Sequence, residues 1–394
     1  MRLLNKEEKL FCEILKDPYK IENLNLTDEF LNFLKKTKLS CLLYSLSLKN
    51  RLNIPQSLKE SIRTDYIINF SKQLIQLKEI VYLANVFKEN NIDVIFLKGP
   101  LLSKEIYDDE GARRCGCDID FIIKRKDYSK LDKILKKESY TRHKESFFKK
   151  IKFTDQVFLY ISSNKTPLDL HIKIFSGVML SDLFSQLKDE SFKRYSFFTI
   201  SETKINVLSK EMLFIYLCIL FCKEEYRRLR FQYLIDLYFF LKKYKEKLDE
   251  QYLLEKIDKN RLNVYIFFSL DFLKYYFSFD FSDFFKKIDV NKIRKIFIYW
   301  AIPKYWQNEN NRFRFKKYSF YALVFSKGYF FYLLRQLFFI FKVSYEYFYI
   351  EIDAENNFKT FLKHLLFFLK RTFSKKPRVF TLKKLRDNEN FPLK

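Results

Sequence analysis

In Asp118-Ile119-Asp120-Phe121-Ile122-Ile123 acids alternate with apolar residues, and an extended backbone sets both carboxylates on one face with Ile119 and Phe121 on the other. Two acids side by side on a strand face repel each other and are costly to desolvate, so a fold that buries this segment needs a cation beside it. A third acid, Asp169, lies in a second strand-like segment, Pro167-Leu168-Asp169-Leu170-His171-Ile172-Lys173-Ile174, and can close the same cluster from a neighbouring strand. Three convergent carboxylates form a hard-oxygen site suited to Mg²⁺. The other reading of the triplet is a half-exposed edge strand that alternates acid with apolar residues and holds no metal.

Around these acids the chain reads mostly as helix. It has 394 residues, enough for two or three domains, and only 5 Gly and 7 Pro to interrupt them. Residues 5–50 read as helices, with Leu10, Phe11, Ile14 and Leu15 on one stripe and Phe30, Leu31, Phe33 and Leu34 on the next. A long helix is expected from Ser57 to Asn90, with Phe70, Leu74, Leu77, Ile80, Leu83, Ala84 and Phe87 as its apolar stripe. Asp93 to Leu97 is then a buried strand, and Lys98-Gly99-Pro100 turns the chain into a helix from Leu101 to Tyr107, Pro being preorganised for the first helical position. Asp108 to Arg114 reads as a mobile loop, acidic then basic. Asp127 to Glu138 reads as helix, and strands are expected at Gln156 to Ile161 and Leu168 to Ile174. From about Ser201 helices are expected throughout. The expected domains are an N-terminal helical segment (1–64), a core (65–200), a helical domain packed on it (201–290) and a basic, aromatic-rich helical region (291–394).

The net charge of +26 is uneven: residues 1–200 hold 36 basic and 27 acidic side chains, whereas 201–394 hold 38 and 21. Such a field favours polyanions, nucleic acid, nucleoside triphosphate (NTP) or anionic lipid among them, while lysines on solvated helix faces give the same count. Residues 291–350 hold eleven basic and two acidic side chains among many Phe and Tyr. No uncharged run there reaches the roughly 18 residues of a membrane span. A helix of that kind lies at an anionic membrane surface, stacks on nucleic acid, or buries its rings in a bundle. Arg227, Arg228 and Arg230 read as a solvated connector or as a phosphate contact. The six cysteines lack a disulfide framework, and neither Cys115-Gly116-Cys117 nor Cys218 with Cys222 has the spacing of a structural zinc site. Met1 to Glu8 is too charged for a signal peptide, so a reducing cytoplasm is the expected location, with membrane association as a variant of it. His143 and His364 belong to no recognisable constellation, and no obligate protein partner is evident.

The order of the parts is informative: a strand ending in Leu97-Lys98-Gly99, a helix, Arg114 four residues before Asp118-Ile119-Asp120, a helix and hairpin, then Asp169-Leu170-His171. This resembles the nucleotidyltransferase superfamily typified by DNA polymerase beta, and more closely a family of uncharacterised nucleotidyltransferases, over about residues 65 to 240. The chain departs from the superfamily's Gly-Gly or Gly-Ser phosphate turn, having Gly99-Pro100 instead, and has Cys218 and Cys222 where the family's later helix often carries histidines.

The resemblance implies an α+β fold, with a small mixed β-sheet core flanked by helices and a mostly α-helical C-terminal half. It implies transfer of a nucleotidyl group from an NTP to a hydroxyl acceptor, with release of pyrophosphate. Asp118, Asp120 and Asp169 would then be catalytic and hold Mg²⁺, with Lys98 and Gly99 at the phosphates and Arg114 at the triphosphate or ordering the metal loop. His171 would support Asp169 or contact the acceptor, a core histidine being the other reading. The alternative from another class is a noncatalytic scaffold that binds nucleic acid or an anionic membrane through the basic aromatic half. The acceptor and the base of the NTP have no visible signature.

Overall fold

The computed structural model describes residues 4–17, 27–49, 52–114, 116, 118–142, 157–162, 165–172, 185–223, 227–260, 262–279, 282–288, 290 and 295. The expectations for residues 296–394, Cys115, Cys117, His143 and the side chains of Arg227, Arg228 and Arg230 lie outside them.

One mixed sheet organises the first part of the chain. Its strands are β1 (Val94–Phe96), β2 (Ile119–Ile123), β3 (Thr141–Arg142), β4 (Val157–Ile161), β5 (Leu168–His171), β6 (Tyr195–Ile200) and β7 (Thr203–Leu208). They lie in the order β3-β4-β5-β2-β1-β7-β6. At its centre β2 runs antiparallel to β1, with Phe96 opposite Phe121, and parallel to β5, with Asp120 opposite Asp169. The alternation in β2 therefore sorts the sheet into two faces. On one, Ile119, Phe121 and Ile123 are buried with Phe96, Leu168 and Leu170 against Ile80, Leu83 and Phe87 of helix α4 (Gln56–Glu89) and Leu131 and Leu135 of α6 (Tyr128–Lys137). The other carries Asp120, Asp169 and His171.

α5 (Pro100–Tyr107) starts as the sequence indicates, with Pro100 in its first turn and Gly99 at φ +69, a left-handed conformation that costs glycine nothing. Helices α1 (Lys6–Lys16), α2 (Asp28–Thr37) and α3 (Ser40–Leu48) precede α4, and α7 (Ser185–Lys193) leads into β6. After the sheet come α8 (Lys210–Lys223), α9 (Arg227–Tyr244), α10 (Glu250–Lys259), α11 (Asn263–Phe277) and the short α12 (Ser282–Lys287). These form a second apolar core with the N-terminal helices. Phe11 and Phe33 meet Phe231 edge-on or tilted, at 6.0 and 5.9 Å between centroids, and the Leu4 amide donates to the Tyr276 hydroxyl at 3.2 Å.

Two expectations are corrected. Helices do not run throughout from Ser201: β7 lies there, pairs with β6 and adds a parallel neighbour to β1, so the sheet extends past residue 200. The connection, Ser201-Glu202, has φ of +43 and +69, and it is a tight hairpin turn made without glycine or asparagine. The middle of α4 also buries a different face from its apolar stripe. Leu74 is 42% exposed, while Asn69, Gln73 and Gln76 are buried. These polar residues recur at helical spacing because they face polar backbone, as the site shows. Among the described residues no helix is long and apolar enough to cross a membrane.

Candidate active site

Asp120 is the hub. Its backbone carbonyl accepts from the Leu97 amide at 3.1 Å, which fixes the end of β1 and therefore Lys98 beside it. The Lys98 ammonium donates to Asp120 Oδ1 at 3.0 Å, with side-chain exposures of 22% and 9%. The His171 Nε2 lies 3.2 Å from the same oxygen and 3.5 Å from Asp169 Oδ2. This follows from strand geometry, since Asp169 and His171 are two residues apart on β5, whose parallel register sets Asp169 opposite Asp120. His171 Nδ1 is buried without a hydrogen-bond partner.

The charges interact strongly. Burial alone would raise the Asp120 carboxyl, but Lys98 and His171 outweigh it and hold it well below the carboxylate range. Burial opposes the charge on Lys98 as well, and Asp120 outweighs it, keeping the ammonium charged. The same contest, with Asp120 and Asp169 prevailing over burial, raises His171 above the ordinary histidine value. Asp118 differs. Burial first, then the negative charges of Asp120 and Asp169, push its carboxyl up to about 6, and Lys98 offsets only part of this. Its acid sits in a field of unbalanced negative charge, the condition in which a divalent cation binds well.

The donor set fits such an ion. Asp120, Asp169 and His171 each present a ligand atom, all within 4.8 Å of one another, and Asp118 is coupled to them by charge. Carboxylate oxygens suit Mg²⁺, and the imidazole nitrogen is a softer neighbour. Tyr216 of α8 hydrogen-bonds Lys98, and Tyr233 of α9 adds to its electrostatic surroundings, so the helical half reaches the acid face here. Both tyrosines are buried.

The segment leading to β2 is the largest departure from expectation. Asp108 to Arg114 is not a mobile loop: Asp109, Gly111, Ala112 and Arg113 are buried and held from several sides. Asp109 accepts from the Ser45 and Tyr66 hydroxyls and from the Gly111 amide. Asn69 donates to the carbonyls of Gly111 and Arg113, both at 2.7 Å, Gln73 donates to Arg113 at 2.6 Å, and Gln76 to Gly116 at 3.1 Å. A side chain at Gly111 would lie 2.7 Å from the Tyr66 ring, so the loop packs directly on α4. Arg113 Nε donates to Asp236 Oδ2 of α9 at 2.9 Å, and Asp236 Oδ1 accepts from the Tyr107 hydroxyl at 2.7 Å and from Gln232. Arg114, read from the sequence as the functional arginine, is half-buried next to it. The missed signal is the recurrence of Asn69, Gln73 and Gln76 on one helix face. Beyond the loop, Gly116 lies so close to Asp118 that an added Cβ would be 3.3 Å from its Oδ1.

The buried thiols of Cys218 and Cys222 fill the α8 core, Cys222 lying 3.6 Å from the Tyr265 carbonyl and from the Ser269 hydroxyl. The sequence model of the uncharacterised nucleotidyltransferase family matches residues 25–278, well over half of the chain. No curated protein and no solved structure matches it.

Proposed function

The chain belongs to the uncharacterised nucleotidyltransferase family, and from that premise we propose that it transfers a nucleoside monophosphate group from an NTP to a hydroxyl acceptor, releasing pyrophosphate. The observation that supports this best is the placement of Asp169 directly opposite Asp120 on a parallel strand, with their ligand atoms and that of His171 within 4.8 Å. In this reading Asp118, Asp120 and Asp169 hold Mg²⁺. When bound, the ion neutralises charge on the triphosphate and the leaving pyrophosphate and lowers the pKa of a coordinated hydroxyl. Asp169, on the side of β5, takes up the proton of the attacking hydroxyl or holds that hydroxyl in position. Lys98 contacts a phosphate oxygen, and Gly99, without a side chain, lets the triphosphate approach the backbone. Arg114, at the end of the pinned loop, is assigned to the triphosphate. His171 keeps the carboxylates of Asp120 and Asp169 oriented by hydrogen bonding to both.

The test is transfer of label from each α-³²P-labelled NTP to acceptors in a cell extract, with Mg²⁺, for wild type beside Asp118→Asn/Asp120→Asn. Label transfer by wild type and its loss in the double variant support the proposal. Absence of Mg²⁺-dependent NTP binding or transfer by wild type overturns it and favours a noncatalytic scaffold.

A further inference from the structure

A buried ammonium needs an anion in contact with it, and Lys98 has chosen a carboxylate that the proposed activity assigns to metal. Its Nζ and His171 Nε2 converge on one oxygen, Asp120 Oδ1, at 3.0 and 3.2 Å. Asp120 is the dominant anion beside Lys98, and Asp118, a carboxylate of the same cluster, is coupled to it as well; Tyr216 and Tyr233 are buried, and the Tyr216 hydroxyl is held neutral, its pKa raised by burial. Lys98 therefore neutralises part of the charge that would attract a divalent cation, and electrostatic repulsion works between the two. At the same time Lys98 is the residue before Gly99, at the turn between β1 and α5, and keeps 22% of its side chain exposed. An ammonium displaced from Asp120 by an ion that also claims Asp118 has a suitable anionic destination in a polyphosphate entering beside the glycine turn.

We propose that Lys98 is a resident counter-ion of the carboxylate site, paired with Asp120 in the absence of nucleotide and passing to the triphosphate when it binds, so that divalent metal alone binds weakly and metal and triphosphate bind cooperatively. No covalent bond is made or broken in this exchange; the Lys98–Asp120 hydrogen bond is traded for one to a phosphate oxygen. The inference rests on the nucleotidyl-transfer reading of the site, and it deepens that reading by giving Lys98 two successive partners.

Removal of a positive charge that only supports the fold would weaken every ligand. Removal of a resident counter-ion must instead strengthen one ligand and weaken the other. The experiment is titration of Mn²⁺ alone, followed by the electron paramagnetic resonance of the free ion, and of inorganic triphosphate at saturating Mn²⁺ by calorimetry. Wild type, Lys98→Met and Lys98→Arg are compared, with circular dichroism as a check of folding. Lys98→Met is expected to bind Mn²⁺ about tenfold more tightly and triphosphate about tenfold more weakly, whereas Lys98→Arg keeps the wild-type order. Mn²⁺ affinity that is unchanged or reduced in folded Lys98→Met overturns the inference. Should that variant not fold, Lys98→Gln, which retains hydrogen bonding without charge, takes its place with the same expectations. Nucleotidyl transfer by wild type together with unchanged Mn²⁺ affinity in Lys98→Met sinks the counter-ion role and leaves the activity standing. Tightened Mn²⁺ binding without transfer by wild type supports the counter-ion and overturns the activity.

Discussion

Two charge clusters, one around Arg113 in the segment that joins α5 to β2 and one around Asp120 where that segment enters β2, are built on different principles. At the first, Arg113 meets Asp236 at 2.9 Å with side-chain exposures of 8% and 0%, and Tyr107 and Gln232 satisfy the second carboxylate oxygen. One cation faces one anion, and the acid has partners on both oxygens. At the second, the carboxylates of Asp118, Asp120 and Asp169 face Lys98 and His171, Asp118 is driven up to about 6, and His171 Nδ1 has no partner. A closed cluster holds the chain in place. A cluster left with excess charge stores the capacity to bind an ion, and stability is lowered by keeping it.

The sharpest way to separate the two is by what their loss removes. Asp118→Asn/Asp120→Asn is expected to reduce nucleotidyl transfer by on the order of 10³-fold or more, because the proposed metal ligands go together. Measured by label transfer, residual activity near wild type would erase the distinction between the clusters. Asp236→Asn is expected to act on folding instead. It leaves the Arg113 guanidinium buried without a counter-charge, a change that costs about 3–5 kcal/mol, visible as an earlier midpoint in urea. Asp236→Asn/Arg113→Met, which removes both charges, is expected to recover part of that loss. Smaller again is Asn69→Leu, which keeps the shape of the side chain but removes the Asn69 donor from the Gly111 carbonyl and leaves the Arg113 carbonyl with Gln73, at about 1–3 kcal/mol. The same urea titration reads it. A loss near zero would mean that the loop is held mainly by its other anchors, the Arg113–Asp236 pair and the bonds of Gln73 and Asp109.

The sequence disclosed the acid face and concealed the scaffold for one physical reason. Strand alternation is local, so Ile119-Asp120-Phe121 and Leu168-Asp169-Leu170-His171 could be assigned to strand faces, whereas Asp118, expected on the same face, stands one residue before β2 and joins the cluster through charge. A cluster of acids needs a cation wherever it is buried. The bonds from Asn69 and Gln73 to the loop span some forty residues, and those from Arg113 and Tyr107 to Asp236 span more than a hundred. No periodicity in Asp108 to Arg114 reports such partners, and a charged segment with one glycine reads as solvated. The β6–β7 hairpin was concealed in another way. Thr203-Lys204-Ile205-Asn206-Val207-Leu208 alternates visibly, but its turn uses Ser201 and Glu202 at positive φ. In a chain with 5 glycines, left-handed turns fall to other residues, Lys38, Asn91, Asp108 and Ser139 among them, and the usual punctuation is missing.

That the acid cluster is held at a cost and the arginine cluster at a gain is tested most directly by urea unfolding in excess EDTA, comparing wild type, Asp118→Asn and Asp236→Asn. Asp118 keeps a proton in the folded chain up to about pH 6, against an ordinary value of 3.8, so the folded state binds more protons across that window and stability falls as pH rises through it. At pH 7.5 Asp118→Asn is therefore expected to be more stable than wild type by about 1–3 kcal/mol, an advantage that fades as pH falls through 6 and is gone near pH 4, while Asp236→Asn is less stable. If Asp118→Asn is less stable than wild type at pH 7.5 without metal, the acids are ordinary structural partners and the contrast between the two clusters fails.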